Sequence, residues 1–229
     1  VLFAAMKKLF YGVILSCLSL FTAWGQNRPR IVERPISFGP QRVLMTEQYM
    51  KERYLIEAPS GKIAPKMVVL HWTAIPSLEA SFKAFDPEQL PAYRPELGRN
   101  GLNVSAHFLV DRDGTIYRLM PEDVMARHVI GLNHLAIGIE NVGGTEETPL
   151  TPLQIKANAE LLKYLKKKFP EIKYLIGHHQ YTDLEGTELW KEIDPGYKTT
   201  KTDPGDHFVK LVKRKTRKLR WHPLPKPKQ

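Results

Sequence analysis

Apolar residues in this chain gather in short unbroken runs divided by long polar or proline-rich stretches, and two of the runs stop at a histidine. Residues 66–70 open K-M-V-V-L-H-W-T-A, a strand that ends at His71. Residues 173–176 form another, in Y-L-I-G-H-H, ending at Gly177 and His178. Between them, 105–110 and 115–119 read as strands joined across D-R-D-G, where Asp113-Gly114 is a strong hairpin signal. Residues 136–141 are a further strand, which contains I-G-I-E and closes on Asn141. A long helix follows, with Thr151 as cap, Pro152 at its first position and Gln154 at its third. Leu153, Ala157, Leu161, Leu162, Leu165 and Phe169 give it an apolar face, Lys156, Lys163 and Lys167 point outward, and Pro170 stops it. Weaker helical stretches fall at 46–56, 78–85 and 206–213. The middle one lies inside 76–103, an excursion rich in Pro, charge and aromatics whose length is typical of functional loops. Strands interspersed with helices predict an α/β fold: a single domain with a central mixed β-sheet flanked by helices.

Length and composition agree with one well-cored domain plus appendages, at 229 residues, 42% hydrophobic and 25% charged. Residues 1–25 have the pattern of a secretory signal: Lys7 and Lys8, then an apolar run over 9–21, then Ala23-Trp24-Gly25, with cleavage expected before Gln26. An exported protein, periplasmic or secreted, is the expectation. Cys17 is the single cysteine. A second reading lipidates it as a lipoprotein anchor, but the apolar run continues well past it, which favours the ordinary signal. The mature chain would then contain no cysteine, which excludes disulfides and any thiolate ligand or nucleophile.

Residues 26–65 read as a proline-rich pre-domain segment whose helical stretch packs on the domain, 66–209 as the domain itself, and 210–229 as a basic tail. The formal charge is +10, and seven of the cations (Lys210, Lys213, Arg214, Lys215, Arg217, Lys218 and Arg220) lie within 210–220 without an acid among them. Such a run either serves an anionic surface or is a solvated helix end fraying into a disordered tail. Nucleic acid is not expected, since no recognition helix or aromatic-basic sheet motif accompanies the charge. A monomer is expected.

The candidate chemistry is carried by His71, His178 and Asp203, the last in K-T-D-P-G before a turn. Two imidazoles and one carboxylate are a set that zinc accepts, with a fourth position left for water, as in catalytic rather than structural sites. A histidine ending a buried strand is, by itself, more often a satisfied core residue. The order of the set along the chain is what lifts the metal reading above that one. Asp194-Pro195-Gly196 imitates Asp203-Pro204-Gly205, but Glu192 precedes it where Lys201 precedes Asp203.

The motifs V-L-H-W-T-A, V-S-A-H-F-L-V-D-R-D-G, I-G-I-E, L-I-G-H and K-T-D-P-G occur in this order. In that order they resemble the zinc-dependent N-acetylmuramoyl-L-alanine amidases of the amidase-2 superfamily, which includes T7-type lysozyme, AmpD-type amidases and peptidoglycan recognition proteins. The resemblance covers about residues 66–209. It implies a central mixed sheet with flanking helices, one Zn2+ per chain on His71, His178 and Asp203, and peptidoglycan or muropeptides as substrate. The bond cut would be the amide between N-acetylmuramic acid and L-alanine. Glu140 matches the carboxylate that moves the proton from water to the leaving amine, and Lys201 the cation that stabilises the oxyanion. The bland alternatives are a strand-end salt bridge for Glu140 and a solvated loop for Lys201. His128, with Arg127 and Asn141 beside it as weaker candidates, falls where the family approaches its substrate. Ala106 stands where phage-type members carry Tyr, which shifts weight onto Glu140, and His179 reads as a residue turned away from the metal. Two other functions stay open: a binding module that recognises muropeptides without cutting them, and a zinc peptidase acting within the peptide stem.

Overall fold

A computed structural model describes residues 29–92 and 101–227; the expected signal segment and Cys17 lie outside the described residues. In chain order these form β1 (Ile31–Glu33), α1 (Pro40–Tyr54), β2 (Met67–Trp72), α2 (Leu78–Phe85), β3 (Phe108–Val110), β4 (Ile116–Arg118), β5 (Ala136–Asn141), α3 (Pro152–Lys168), β6 (Tyr174–Gly177) and α4 (Asp206–Lys215).

An unbroken apolar run suits a strand covered on both faces, and β2 and β5 are such strands at the centre of the sheet. The strand order is β1-β4-β3-β5-β2-β6, with β3 and β4 antiparallel and every other pairing parallel. The expected mixed sheet is present, with the hairpin at its predicted place: Gly114 has φ of 86° and Asp113 Oδ1 accepts from Thr115 N at 2.8 Å. Alternation sorts the core by face. Val68 and Leu70 pack with Ile137, Ile139, Leu161, Leu165, Phe208 and Val212 under α3 and α4. Met67 and Val69 pack with Ala136, Ile176, Val129, Leu132, Tyr181 and Leu184 on the other face.

Helix α3 has the predicted capping box, Gln154 N donating to Thr151 Oγ1 at 3.1 Å and Thr151 N to Gln154 Oε1 at 2.9 Å. Its buried stripe is rotated from the expected one, for Leu153 is 53% exposed while Gln154 and Asn158 are fully buried. Hydrogen bonds turn it. Gln154 Nε2 donates to the Val110 and Val142 carbonyls, and Asn158 Nδ2 to Asn141 Oδ1 at 2.7 Å, clamping α3 over the ends of β3 and β5.

Helix α1 begins six residues before the expected 46, because Pro40 at the first position needs no N–H partner. Its Met45, Tyr49, Met50 and Tyr54 pack with Leu102 and Met125. The outer strand β1 also precedes residue 66, pairing Ile31–Glu33 with Ile116–Arg118.

Of the two readings of the basic run, fraying directly after α4 is the one the structure corrects. Trp221 packs against the α3/α4 core with its Nε1 donating to Thr216 Oγ1 at 2.9 Å, and His222 N donates to the Lys173 carbonyl at 3.0 Å. An aromatic group and a backbone bond hold the segment against the solvation of its cations.

Candidate metal centre

Three neighbouring parallel strands, β5, β2 and β6, bring chemistry to the edge where parallel sheets characteristically bind ligands, outside the carboxyl ends. Side chains two apart share a face, so His71 continues the row of Met67 and Val69, Glu140 that of Ala136 and Gly138, and His178 that of Tyr174 and Ile176. His71 and Glu140 are register partners, and Leu70 pairs with Gly177 just before His178. Asp203 arrives from the connection to α4. His179, next to His178, holds that connection: its backbone N donates to the Asp203 carbonyl at 2.9 Å, and its ring nitrogens lie 3.0 Å from that same oxygen and 2.9 Å from Asp206 Oδ1. His179 is thus turned from the centre, as expected from its position.

The two imidazoles present the same atom. His71 Nδ1 lies 3.2 Å and His178 Nδ1 3.1 Å from Asp203 Oδ2, and Glu140 Oε1 stands 4.0 Å from His71 Nδ1. All three candidate ligands are buried, and one ligand atom of each lies within 4.8 Å of the others. Burial, with His71 beside it, pushes the His178 imidazole down to about 4 against the opposing pull of Asp203. Burial would raise the Asp203 carboxyl, but the His178 and His71 imidazoles beside it outweigh that effect and hold the group well below the carboxylate range. A neutral imidazole beside an ionised carboxylate, both aimed at one point, is a donor set that fits zinc. The imitating Asp194 is exposed, accepts from Gly196 N at 2.9 Å and lies 3.6 Å from Arg53, away from this point.

Lys201, two residues before Asp203, lines the adjoining cleft together with Trp72, Tyr49, Phe85 and Ile130. Arg127 also lines it, as part of its wall: NH2 donates to Tyr197 OH at 2.9 Å, NH1 to the Leu102 carbonyl, and the guanidinium lies 5.0 Å over Tyr49. His128 lines it too, with its Nδ1 3.0 Å from His71 Nε2. Asn141 is corrected. It is fully buried and turned from the cleft, donating to the His71 carbonyl at 2.9 Å and accepting from Asn158, so it fastens β5 to β2 and α3 rather than meeting a substrate. Tyr49 and Tyr197 were not among the sequence candidates. Neither is marked by the residues around it, and only the packing of α1 and of the 189–200 loop brings them to Arg127.

A family model described as N-acetylmuramoyl-L-alanine amidase, Amidase_2, matches residues 61–206. The endolysin of Klebsiella phage KP32 is 35% identical over 83 residues, 34% of this chain and 54% of that protein. Peptidoglycan-recognition protein SC2 of Drosophila melanogaster is 32% identical over 95 residues, 40% of this chain and 52% of that protein. The chain thus spans about half the length of these curated relatives. Among solved structures, bumblebee PGRP-SA superposes with a TM-score of 0.51 at 21% identity, covering 86% of this chain and 99% of that one, a likeness of fold.

Proposed function

Because the chain belongs to the Amidase_2 family of N-acetylmuramoyl-L-alanine amidases, we propose that it is a zinc amidohydrolase that cleaves the amide between N-acetylmuramic acid and L-alanine in peptidoglycan or its fragments. The observation that carries the reading is the convergence of His71, His178 and Asp203 on one point, with Glu140 alongside. A pure binding module has no need of an ionised carboxylate buried between two imidazoles. Held by the three ligands, zinc would supply Lewis acidity and a water of lowered pKa.

Glu140 accepts the proton of the water that adds to the amide carbon, and returns it to the nitrogen of L-alanine as the C–N bond breaks. Lys201 offers positive charge to the carbonyl oxygen while it carries the displaced electron pair. Arg127, held by Tyr197 and stacked over Tyr49, keeps a cation on the cleft wall for an acidic part of the peptide stem. The reading includes export, with residues 1–25 as the leader, because the polymer lies outside the cytoplasm.

The test is mass spectrometry of products after the zinc-loaded protein is incubated with purified muropeptides, beside Asp203→Ala. Free stem peptide beginning at L-alanine, with intact glycan and an inert variant, is expected. Shortened stems would make it a peptidase, and muropeptides bound but unchanged would make it a binding module.

A further inference from the structure

His128 lies on a patch of β5 that only glycine leaves open. A Cβ on Gly138 would fall 2.7 Å from Cγ of the His128 ring, closer than side chains pack. The loop is held there by Asn133, whose Oδ1 accepts from His128 N at 2.9 Å and from Val129 N at 2.8 Å. From this seat, His128 Nε2 lies 3.2 Å from the Ala136 carbonyl oxygen and Nδ1 lies 3.0 Å from His71 Nε2. The two rings meet edge to face, at 86°.

The proton positions follow by elimination. A carbonyl oxygen can only accept, so His128 carries its hydrogen on Nε2 and offers the lone pair of Nδ1. The shared bond then needs a hydrogen on His71 Nε2. That leaves the lone pair of His71 on Nδ1, the atom 3.2 Å from Asp203 Oδ2 and 4.0 Å from Glu140 Oε1. We propose that His128 is a positioning residue: through the Ala136 carbonyl it fixes the tautomer and ring orientation of His71 for metal, and Gly138 gives it the room to do so. The inference rests on the metal-centre reading and replaces a direct substrate contact as the main task of His128.

The test uses the full chain and reads metal rather than turnover. Zinc affinity is measured by competition with a chromophoric chelator, and cobalt(II) in place of zinc reports ligand geometry through its visible bands. His128→Leu keeps the bulk and removes both nitrogens; it is expected to weaken zinc by about 10- to 100-fold and alter the cobalt bands. His128→Asn, whose Oδ1 can replace the Nδ1 acceptor, is expected to stay within a few-fold of the parent. Gly138→Ala leaves every polar group in place yet displaces the ring, and is expected to weaken zinc as well. It carries the test if His128→Leu does not fold by circular dichroism. Parental affinity and spectrum in both His128→Leu and Gly138→Ala would overturn the inference. A parent chain that takes no zinc would instead sink the metal-centre reading itself.

Discussion

Glu140 and His71 are register partners on adjacent parallel strands, with Glu140 Oε1 4.0 Å from His71 Nδ1. Paired residues of a sheet point to the same face, so the pairing that builds the sheet also sets the proposed base beside the proposed ligand. Glu140→Gln keeps shape and volume and removes the proton acceptor. Its kcat is expected to fall by about 10²- to 10⁴-fold while zinc content stays at the parental level. Product assays and elemental analysis of the same sample check both halves; turnover within a few-fold of the parent removes Glu140 from proton transfer.

Asp203 Oδ2 lies 3.2 Å from His71 Nδ1 and 3.1 Å from His178 Nδ1, so the loss of this carboxylate should strike the metal before anything else. Asp203→Ala is expected to purify without stoichiometric zinc and without activity. Asp203→Cys offers a thiolate, another accepted zinc ligand, and is expected to regain the metal. Equal zinc in the parent and the alanine variant would show that the metal sits elsewhere.

Lys201 lines the cleft beside the cluster. Lys201→Met is expected to lower kcat by about 10²- to 10³-fold with little change in KM, as loss of an oxyanion partner does. A change confined to KM would make it a binding group.

Burial holds the His107 imidazole down at about 4, with Nε2 bonded to the Val124 carbonyl and Nδ1 accepting from Gly138 N. An unfolded-chain histidine titrates near 6.5, so between these values the unfolded chain takes a proton that the folded one refuses. Stability is therefore full above about pH 6.5 and falls as pH drops toward 4, by up to about 1.4 kcal/mol per pH unit for this group. His134 and His178, also held at about 4 chiefly by burial, add in the same direction. Urea unfolding with chelator present, from about pH 7 to about pH 4.5, should show the gap between parent and His107→Gln narrowing as the pH falls. A constant gap would contradict the assignment.

Trp221 fixes the segment after α4 against the core, with Lys166 4.8 Å over its ring. Trp221→Ala is expected to cost about 2 kcal/mol and lower Tm by about 5 °C, with zinc content unchanged. An unshifted melting curve would mean that the docking contributes nothing.

What could be read from the chain were the places where a single stretch holds both the pattern and the chemistry. The runs that end at His71, Glu140 and His178 announce buried strands, and parallel strands deliver their ends to one edge. The capping box of Thr151 and Gln154 announced α3 for the same local reason. Asn141 could not be read this way, since its neighbours in sequence do not say that Asn158 and the His71 carbonyl will claim its amide. Nor could the stripe of α3, where the pattern favoured Leu153 and hydrogen bonding chose Gln154. Tyr49, Tyr197 and the docked Trp221 depend on contacts between distant segments, and β1 is three residues, too short to show a period.

The strand β1, paired with β4 along the outer side of the sheet, bears on how this fold can be reused. A fragment trimmed to the matched span, 61–206, would retain every proposed chemical group. It would also bare the backbone of β4, discard the tyrosine beneath Arg127 and remove α4 with Trp221. Naked strand edges invite pairing between molecules, so such a graft should tend to assemble into aggregates rather than work alone. The smallest transplantable piece is therefore larger than the piece that holds the chemistry.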